Sequence, residues 1–301
     1  MKFLVYGALN IDLIFSVDHI VIPGETERCV SLEKSSGGKG SNQAAALAKA
    51  GMDVHLAGKI GSDGAYLLEI LHPFGVNTDL VKIWEGGTGN ALIQLDRNGQ
   101  NAIVYYPGGN GAITPEEIEK AMDAFAGYAA GEEGMAVLQN ELPHIDLMMK
   151  AAKKRGLRIC LNPSPCDEKI ESLPLETTDI FFVNEIEGAS LAGVPRNGGA
   201  GDNKEILEKL VKRFPESEIV LTLGKEGALY GYKNTREKGG VLDYPVVDTT
   251  GAGDTFTGYF LAARARDFSV RESLAFACKA ASIAVSEKGA LQAIPDAREV
   301  F

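Results

Sequence analysis

The feature that most constrains the fold is a regular alternation of short apolar segments with longer amphipathic ones. The predicted strands of this alternation are residues 2–8, 54–58, 135–139, 158–162, 180–183 and 218–223. The predicted helices are residues 63–73, 115–125, 143–155, 185–192, 203–213, 251–266 and 269–286. Strands that alternate with helices form a mostly parallel sheet with helices on both faces. We therefore predict a three-layer α/β fold over residues 1–301, with a helix–helix loop at residues 198–201 and no interdomain linker.

Four extended segments do not fit this alternation. They are residues 13–20, 27–32, 90–96 and 101–106. The last two flank Asn98-Gly99, a strong signal for a hairpin turn. We predict that the four segments form a small separate β-sheet, a lid, inserted into the main fold at about residues 11–36 and 89–107.

The strongest functional signal is the string Asp248-Thr249-Thr250-Gly251-Ala252-Gly253-Asp254-Thr255-Phe256, which follows an apolar, strand-like segment at residues 241–247. A glycine-rich turn that opens a helix leaves backbone N–H groups unpaired at the positive end of the helix dipole, and this favours anions. An acid in such a site is unfavourable unless it has a chemical task, such as accepting a proton from an attacking hydroxyl. For an isolated Asp254, a simple helix cap is the alternative interpretation.

Polar residues follow several of the predicted strands directly. Asn10 and Asp12 follow the first strand, and residues two apart in an extended segment share a face. At the ends of other strands or in the turns after them lie Glu141, Asn184, Glu187, Thr222 and Gly224. Each one alone could be a turn or cap residue. Because open α/β sheets bind ligands at the carboxyl ends of their strands, we expect these residues to converge on one site, where amides and carboxylates suit sugar hydroxyls.

A second glycine-rich element opens an earlier helix and reads Gly37-Gly38-Lys39-Gly40-Ser41-Asn42-Gln43. It is not a Walker A loop, because Glu33 and Gly40 occupy the places of the required Gly and Ser/Thr. No complete G-x-G-x-x-G follows the first strand, so an NAD-dependent enzyme gains no support. Lys39 and Asn42 share a helix face, and Lys39 stands where the helix dipole disfavours a cation. A glycine hinge would explain the glycines but not this lysine.

The overall charge argues against polyanionic partners. The formal net charge is −11 and the pI is about 5.0, which disfavours binding to nucleic acid or to an anionic membrane surface. The four cysteines form no C-x-x-C pair and are typical of reduced thiols, rather than of a zinc site or disulfides. No apolar run approaches the ~20 residues of a membrane span, and the N-terminus lacks a signal-peptide pattern. We expect a cytoplasmic protein with small-molecule partners.

Taken together, the motifs resemble those of the ribokinase (PfkB) family of sugar kinases, over essentially the whole chain. The motifs that carry the resemblance are Gly37 to Ala44, Asp248 to Phe256, Asn184-x-x-Glu187 and Asn162-Pro163-Ser164-Pro165. The resemblance implies a ribokinase-like α/β/α domain with a β-sheet lid. It also implies ATP-dependent phosphorylation of the primary hydroxyl of a pentose, foremost D-ribose to D-ribose 5-phosphate.

The resemblance further implies a role for each site residue. Asp254 would be the catalytic base, with Gly251, Ala252 and Gly253 as the anion hole for the transferring phosphoryl group. The sugar would be held by Asn10, Asp12, Gly38, Lys39, Asn42, Glu141 and Asp254. The ATP site would comprise Asn184, Glu187, Thr222, Gly224, Gly251 and Gly253, and Glu187 would orient Mg²⁺ through water. A monovalent cation, K⁺, would be held by Asp248, Thr250, Ala284, Glu287 and Gly289.

Some positions depart from the family pattern and leave alternatives open. Ala293 stands where ribokinases often offer a serine to the cation, so potassium dependence is a separate expectation from catalysis. Asn140 and the bulky Tyr105-Tyr106-Pro107 could reshape the sugar pocket. The alternatives are a kinase of the same fold for deoxyribose, another sugar or a nucleoside, and a non-catalytic sugar sensor. The exposed lid strands also offer an edge for homodimer formation.

Overall fold

The computed structural model describes residues 1–194 and 201–301. Of the predicted loop at residues 198–201, only Gly201 lies within these ranges, and a helix begins there. The strands are β1 Lys2–Tyr6, β2 Asn10–Ser16, β3 Ser31–Gly37, β4 Asp53–Gly61, β5 Val76–Trp84, β6 Gly89–Leu95, β7 Asn101–Tyr106, β8 Gly134–Gln139, β9 Arg158–Asn162, β10 Ile180–Asn184, β11 Glu218–Thr222, β12 Ala228–Tyr232 and β13 Thr235–Gly239. The α-helices are α1 Lys39–Lys49, α2 Ala65–Leu71, α3 Gly108–Gly111, α4 Pro115–Tyr128, α5 Ile145–Lys154, α6 Glu185–Ala192, α7 Gly201–Arg213, α8 Ala252–Ala265, α9 Val270–Ala284 and α10 Ala297–Val300. Short 3₁₀ helices cover Ser62–Gly64, His72–Phe74, Glu168–Ser172, Leu175–Thr177 and Gly224–Glu226. Across the two described ranges, no helix has both the length and the apolar character that a membrane span requires.

The large sheet has nine strands in the order β13-β12-β11-β10-β9-β8-β1-β4-β5. All neighbouring strands from β5 to β11 pair in parallel, whereas β12 pairs antiparallel with β11, and β13 pairs antiparallel with β12 at one edge of the sheet. Along β1, Phe3 and Val5 join the core packed under α1, α8 and α9, while Leu4 and Tyr6 join the core under α4 to α7. Helices therefore cover both faces of the sheet, and the predicted three-layer α/β fold with a mostly parallel sheet is confirmed.

A second, four-stranded sheet has the order β3-β2-β6-β7, so the predicted small sheet is present. Two of its predicted boundaries are wrong. The first strand begins at Asn10 rather than at residue 13, and the second covers Ser31–Gly37 rather than residues 27–32. β3 is polar and mostly exposed, and its position is set by antiparallel pairing with β2, from Asn10 opposite Gly37 to Ser16 opposite Ser31. Apolar alternation could not reveal a strand of this kind.

The predicted strand-like segment at residues 241–247 is also wrong, because this segment has no regular structure and lies exposed on the surface. Pro245 lacks an N–H group, and Val247 donates its own N–H to the Val285 carbonyl next to α9, not to a strand.

Three strands of the large sheet, β5, β12 and β13, are absent from the prediction, and two of them, β5 and β13, are the edges of that sheet. Edge strands carry charged residues on their exposed side, which weakens the apolar pattern.

Helices α1 and α8 approach each other at backbone distance. A Cβ atom added at Gly258 in α8 would lie 2.5 Å from Ala46 Cβ and 2.9 Å from Leu47 N of α1. At the start of α1, a Cβ at Gly7 would lie 2.5 Å from Gly40 Cα, so α1 also sits directly on the end of β1. These glycines let the first turns of α1 and α8 meet at the carboxyl edge of the large sheet.

We expect Gly258→Ala to destabilise the fold although alanine is the better helix former. Overpacking of a filled contact costs about 1–3 kcal/mol of unfolding free energy, which exceeds the gain of about 0.5–1 kcal/mol from replacing a helical glycine. Urea denaturation followed by circular dichroism measures the change. The matched control is Gly127→Ala in α4, where, its own helix backbone and chain neighbours apart, a new Cβ meets no atom of the described chain within 4 Å. If Gly258→Ala were as stable as Gly127→Ala, close contact between α1 and α8 would not be a constraint on the fold.

Candidate active site

A cleft of about 250 Å³ opens at the carboxyl ends of β9, β10 and β11. Its lining residues are Lys39, Asn162, Phe182, Val183, Asn184, Glu187, Thr222, Thr249, Gly251, Gly253, Asp254 and Thr257. These residues come from α1, from three strand ends, from the first turn of α6, and from α8 with the turn that opens it. The cleft therefore brings residues predicted for the sugar, for the nucleotide and for catalysis to one place.

The first turn of α8 combines a free helix end with a buried acid. Gly251 precedes the helix at φ 73°, and no side chain of the described chain caps it. The first helical bond runs from Thr255 N–H to Gly251 O, so the N–H groups of Gly253 and Asp254 have no partner within the helix. Asp254 is only 6% exposed. This geometry suits an anion held next to a carboxylate.

Two amides of α1 hold the Asp254 carboxylate. Asn42 Nδ2 donates to Asp254 Oδ2 at 3.1 Å, and Gln43 Nε2 donates to Asp254 Oδ1 at 2.9 Å. Neither bond would form without the close approach of α1 and α8. The predicted sugar residue Asn42 thus also contacts the predicted base.

Lys39 is the cation of the site and is surrounded by acids. Its backbone N–H donates to Glu141 Oε2 at 2.8 Å. Burial alone would lower the pKa of the Lys39 ammonium, but the charges of Asp254, Glu141 and Glu187 outweigh burial and raise it. Burial also raises the pKa of Glu141 to about 7, although Lys39 opposes that shift. The balance of charge leaves Lys39 protonated at the junction of the predicted sugar and phosphate positions.

Asn10 and Asp12 lie on β2 of the small sheet, not in a turn. Asn10 is buried, and its Oδ1 accepts a hydrogen bond from Asn110 Nδ2 at 2.7 Å. Gly37 lies directly against Asp12, where any Cβ would collide with the carboxylate. Burial raises the pKa of Asp12 to about 6. The charge of Asp12 also raises the pKa of Glu141, so the two acids lie near each other although Asp12 belongs to the small sheet and Glu141 follows β8 of the large one.

The residues predicted for the nucleotide include two at the start of α6. Asn184 caps this helix, and the Glu187 side chain accepts from the Asn184 N–H at 3.0 Å in return. Both residues line the cleft, as does Thr222 at the end of β11. Gly224 does not line it; this residue opens a 3₁₀ helix two positions later. Ala252 is likewise absent from the lining, although it begins α8.

The residues predicted to hold a monovalent cation meet in two adjoining loops. Asp248 Oδ1 accepts from the Thr250 N–H and hydroxyl, and Asp248 Oδ2 accepts from the Gly289 N–H at 3.0 Å. In the second loop, Glu287 N–H donates to Ala284 O. Partial burial raises the pKa of Asp248, but the bonds from Thr250 and Gly289 outweigh it and hold that pKa below its usual value. Ala293 is buried and has no side-chain oxygen to offer.

Sequence reasoning missed the residues behind the site. Gln43 and Gln139 are fully buried and hydrogen-bonded to each other. Gln139 does leave a signal, because it is a lone polar residue in the apolar strand β8. Asn110 leaves none, since its contact with Asn10 joins residues 100 positions apart.

Comparison with known proteins places this site in a family. Residues 1–297 match the model for the pfkB family carbohydrate kinases. The chain is 32% identical over 308 residues to a ribokinase of Staphylococcus aureus, covering 99% of this chain and 98% of that protein. It is also 32% identical over 302 residues to a bifunctional ribokinase/ribose-5-phosphate isomerase A of Fructilactobacillus sanfranciscensis, of whose length it spans 54%.

Solved structures agree with the sequence relatives. The structure of Arabidopsis thaliana ribokinase complexed with ribose and ATP superposes with a TM-score of 0.85 at 30% identity, covering 99% of this chain and 97% of that chain. The family resemblance seen in the motifs is thus confirmed over the whole fold, and the chain belongs to the pfkB family of carbohydrate kinases.

Proposed function

We propose that the chain transfers the γ-phosphoryl group of ATP to the primary hydroxyl of D-ribose, giving D-ribose 5-phosphate and ADP. The observation that carries the proposal is that the Asp254 carboxylate, the uncapped start of α8 and Lys39 meet in one cleft. An acid beside an anion site is what a hydroxyl nucleophile and a phosphoryl group need together. The similar ribokinases support ribose as the acceptor.

In the proposed reaction Asp254 accepts the proton of the sugar hydroxyl, and the hydroxyl oxygen forms a bond to the γ-phosphorus. The bond from the γ-phosphorus to the β–γ bridging oxygen breaks, and ADP leaves with that electron pair. The N–H groups of Gly253 and Asp254, with Gly251 and Ala252 shaping the turn, stabilise the charge on the transferring group. Asn10, Asp12, Gly38, Lys39, Asn42 and Glu141 position the sugar. Asn184, Thr222 and Gly224 hold the nucleotide.

Two cations complete the proposal. Glu187 fits a water-mediated Mg²⁺ site, because its buried carboxylate lines the cleft and is fixed by the Asn184 N–H. Mg²⁺ supplies charge neutralisation at the ATP phosphates. Asp248 and Thr250, with the segment that contains Ala284, Glu287 and Gly289, would hold K⁺ through carboxylate, hydroxyl and main-chain carbonyl oxygens, and the Gly289 N–H bond to Asp248 brings the two segments together.

We also propose that residues 1–301 form one kinase domain, in which the small sheet acts as a lid over the sugar. Asn10 and Asp12 sit on this sheet, so its closure would complete the sugar site and exclude water. A cytoplasmic location is consistent with the buried free thiols of Cys160 and Cys278.

We expect Asp254→Asn to abolish most turnover. Loss of a general base lowers kcat by about 100- to 10,000-fold, while the sugar KM stays within a few-fold because the amide keeps the shape of the side chain. A coupled ADP-release assay with Mg-ATP measures both constants for ribose, deoxyribose, other pentoses and hexoses, and nucleosides, with and without K⁺. Wild-type turnover of another acceptor would correct the proposed substrate. A near-normal kcat in the variant would contradict the role of the base.

We expect sugar binding to weaken as the pH falls through neutrality. The raised pKa values of Asp12, about 6, and Glu141, about 7, mean that both groups take up protons well above the usual range of carboxyls. Only the ionised form offers both oxygens as acceptors to sugar hydroxyls, so affinity is full at high pH and declines below about pH 7, by up to about tenfold per pH unit for each of the two groups. Calorimetry with ribose, without nucleotide, gives the Kd from about pH 8 to about pH 5. Glu141→Gln should remove the part of the dependence near neutrality; a Kd that is flat in the wild type would refute the assignment.

We propose a homodimer in which two small sheets pack face to face. Ile14, Ile93 and Ile103 lie directly opposite one another on β2, β6 and β7, on the same face as Asp12. Ile103 is 57% exposed at the edge strand β7. This row of isoleucines beside a predicted sugar-binding residue is exposed at Ile103 and half-buried at Ile14 and Ile93, and it is an apolar surface that a second copy could cover.

Ile103→Glu should therefore convert the dimer to a monomer, because it places a charge in an apolar contact. Light scattering after gel filtration should change from about twice the 32.0 kDa chain mass to that mass. Val104→Glu is the matched control, since Val104 is 66% exposed on the same strand but points to the opposite face. Dissociation by Val104→Glu alone, or a wild-type monomer, would exclude this interface.

A further inference from the structure

The buried amides behind Asp254 carry a further inference, which rests on the proposed kinase function and deepens it. Gln43 Nε2 donates to Asp254 Oδ1 and also to Asn162 Oδ1, at 3.3 Å. Gln43 Oε1 accepts from Gln139 Nε2 at 2.7 Å. We propose that Asn162 and Gln139 fix the orientation of the Gln43 amide, and that Gln43 is therefore a positioning residue that holds the Asp254 carboxylate for catalysis.

The direction of these hydrogen bonds is set by the backbone. The carbonyl of Phe182 can only accept, and Asn162 Nδ2 donates to it at 2.9 Å. The Oδ1 atom of Asn162 therefore faces Gln43, and the NH₂ group of Gln43 must donate a hydrogen bond to it. The second hydrogen of that NH₂ group is left for Asp254. The main chain of β10 thus determines, through Asn162, that Gln43 presents a donor and not an acceptor to the base.

Gln139 supports the same orientation from the other end, because its Nε2 also points to the Val137 carbonyl, at 3.5 Å, which can only accept. Because the NH₂ group of Gln43 faces Asn162 and Asp254, its Oε1 faces Gln139, which has to donate. The Gln139 Oε1 atom is left buried with no partner among residues 1–194 and 201–301, close against Gly7. An unpaired buried oxygen is unfavourable. The opposite rotation of Gln139 would be worse, since it would set two carbonyl oxygens against each other.

Asn42 cannot fix the carboxylate in the same way. It donates to Asp254 Oδ2, but its own Oδ1 is buried and has no partner within the part of the chain that the structure describes. Its amide can therefore turn when a sugar hydroxyl binds. Gln43, by contrast, uses both hydrogens and its oxygen, so its position is fully determined before any substrate arrives. One oxygen of the base is thus held rigidly, while the other lies on the side of the predicted sugar residue.

The test is a double-mutant cycle in kcat. Gln43→Met keeps the length of the side chain without the amide, and misplacement of the base should lower kcat by about 10- to 100-fold with the sugar KM unchanged within about twofold. Gln139→Met does not touch Asp254 and should lower kcat by about 3- to 10-fold. Because Gln139 acts through Gln43, the double variant should be no slower than Gln43→Met alone. If Gln43→Met does not fold, Gln43→Asn, which is too short to bridge Gln139 and Asp254, replaces it.

The wild type and the variants report on different claims. Turnover of ribose by the wild type tests the proposed function, and if another acceptor is used, the cycle is measured with that acceptor. If no acceptor is phosphorylated, the proposed function fails, and crystal structures of the sugar-free proteins judge the positioning role. Asp254 should occupy one rotamer in the wild type and a displaced or divided one in Gln43→Met. An unchanged kcat in Gln43→Met, additive losses in the double variant, or an unmoved Asp254 carboxylate would each overturn the proposal.

Discussion

The site depends on one steric constraint, the backbone-level contact of α1 with both β1 and α8. Gly7, Gly40 and Gly258 leave no room for a methyl group at these crossings. Only at this separation do Asn42 and Gln43, at the start of α1, reach Asp254 at the start of α8. Side-chain chemistry at the site is therefore a consequence of main-chain packing, and a small expansion of this contact would separate the acid from its amides.

Electrostatics adds a second layer to this arrangement. Glu141, Glu187 and Asp254 surround the ammonium of Lys39, and Asp12 adds its charge beside Glu141, in a chain whose net charge is already −11. Such a site repels a bare polyphosphate and becomes favourable to it only when cations enter with it. Because burial raises the pKa values of Asp12 and Glu141, these two carboxylates take up protons as the pH falls through neutrality, and this proton uptake removes part of the negative charge.

Much of the fold and site could be predicted because the signals were local. Gly251 and Asp254 are three positions apart, and Asn184 and Glu187 cap one helix, so the sequence shows their relation directly. The strand Ser31–Gly37 could not be predicted, because pairing with β2 and not its own polar sequence makes it a strand. Residues 241–247 show the reverse, since Val246 is apolar and yet 70% exposed. The contacts of Gln139 with Gln43 and of Asn110 with Asn10 span about a hundred positions, and only the folded chain reveals them.

The division of the predicted sugar residues between two sheets has a mechanical consequence. Asn10 and Asp12 belong to the small sheet, whereas Lys39, Glu141 and Asp254 belong to the main α/β layers. A sugar that bonds to both sets is a reversible cross-link between them, and its binding free energy is also the free energy that clamps one body onto the other. An acceptor that lacks a single hydroxyl then loses a hydrogen bond and also part of the free energy that holds the small sheet against the main layers. Discrimination between sugars in such an arrangement depends on how rigidly the small sheet is held against the main layers as much as on the shape of the sugar pocket.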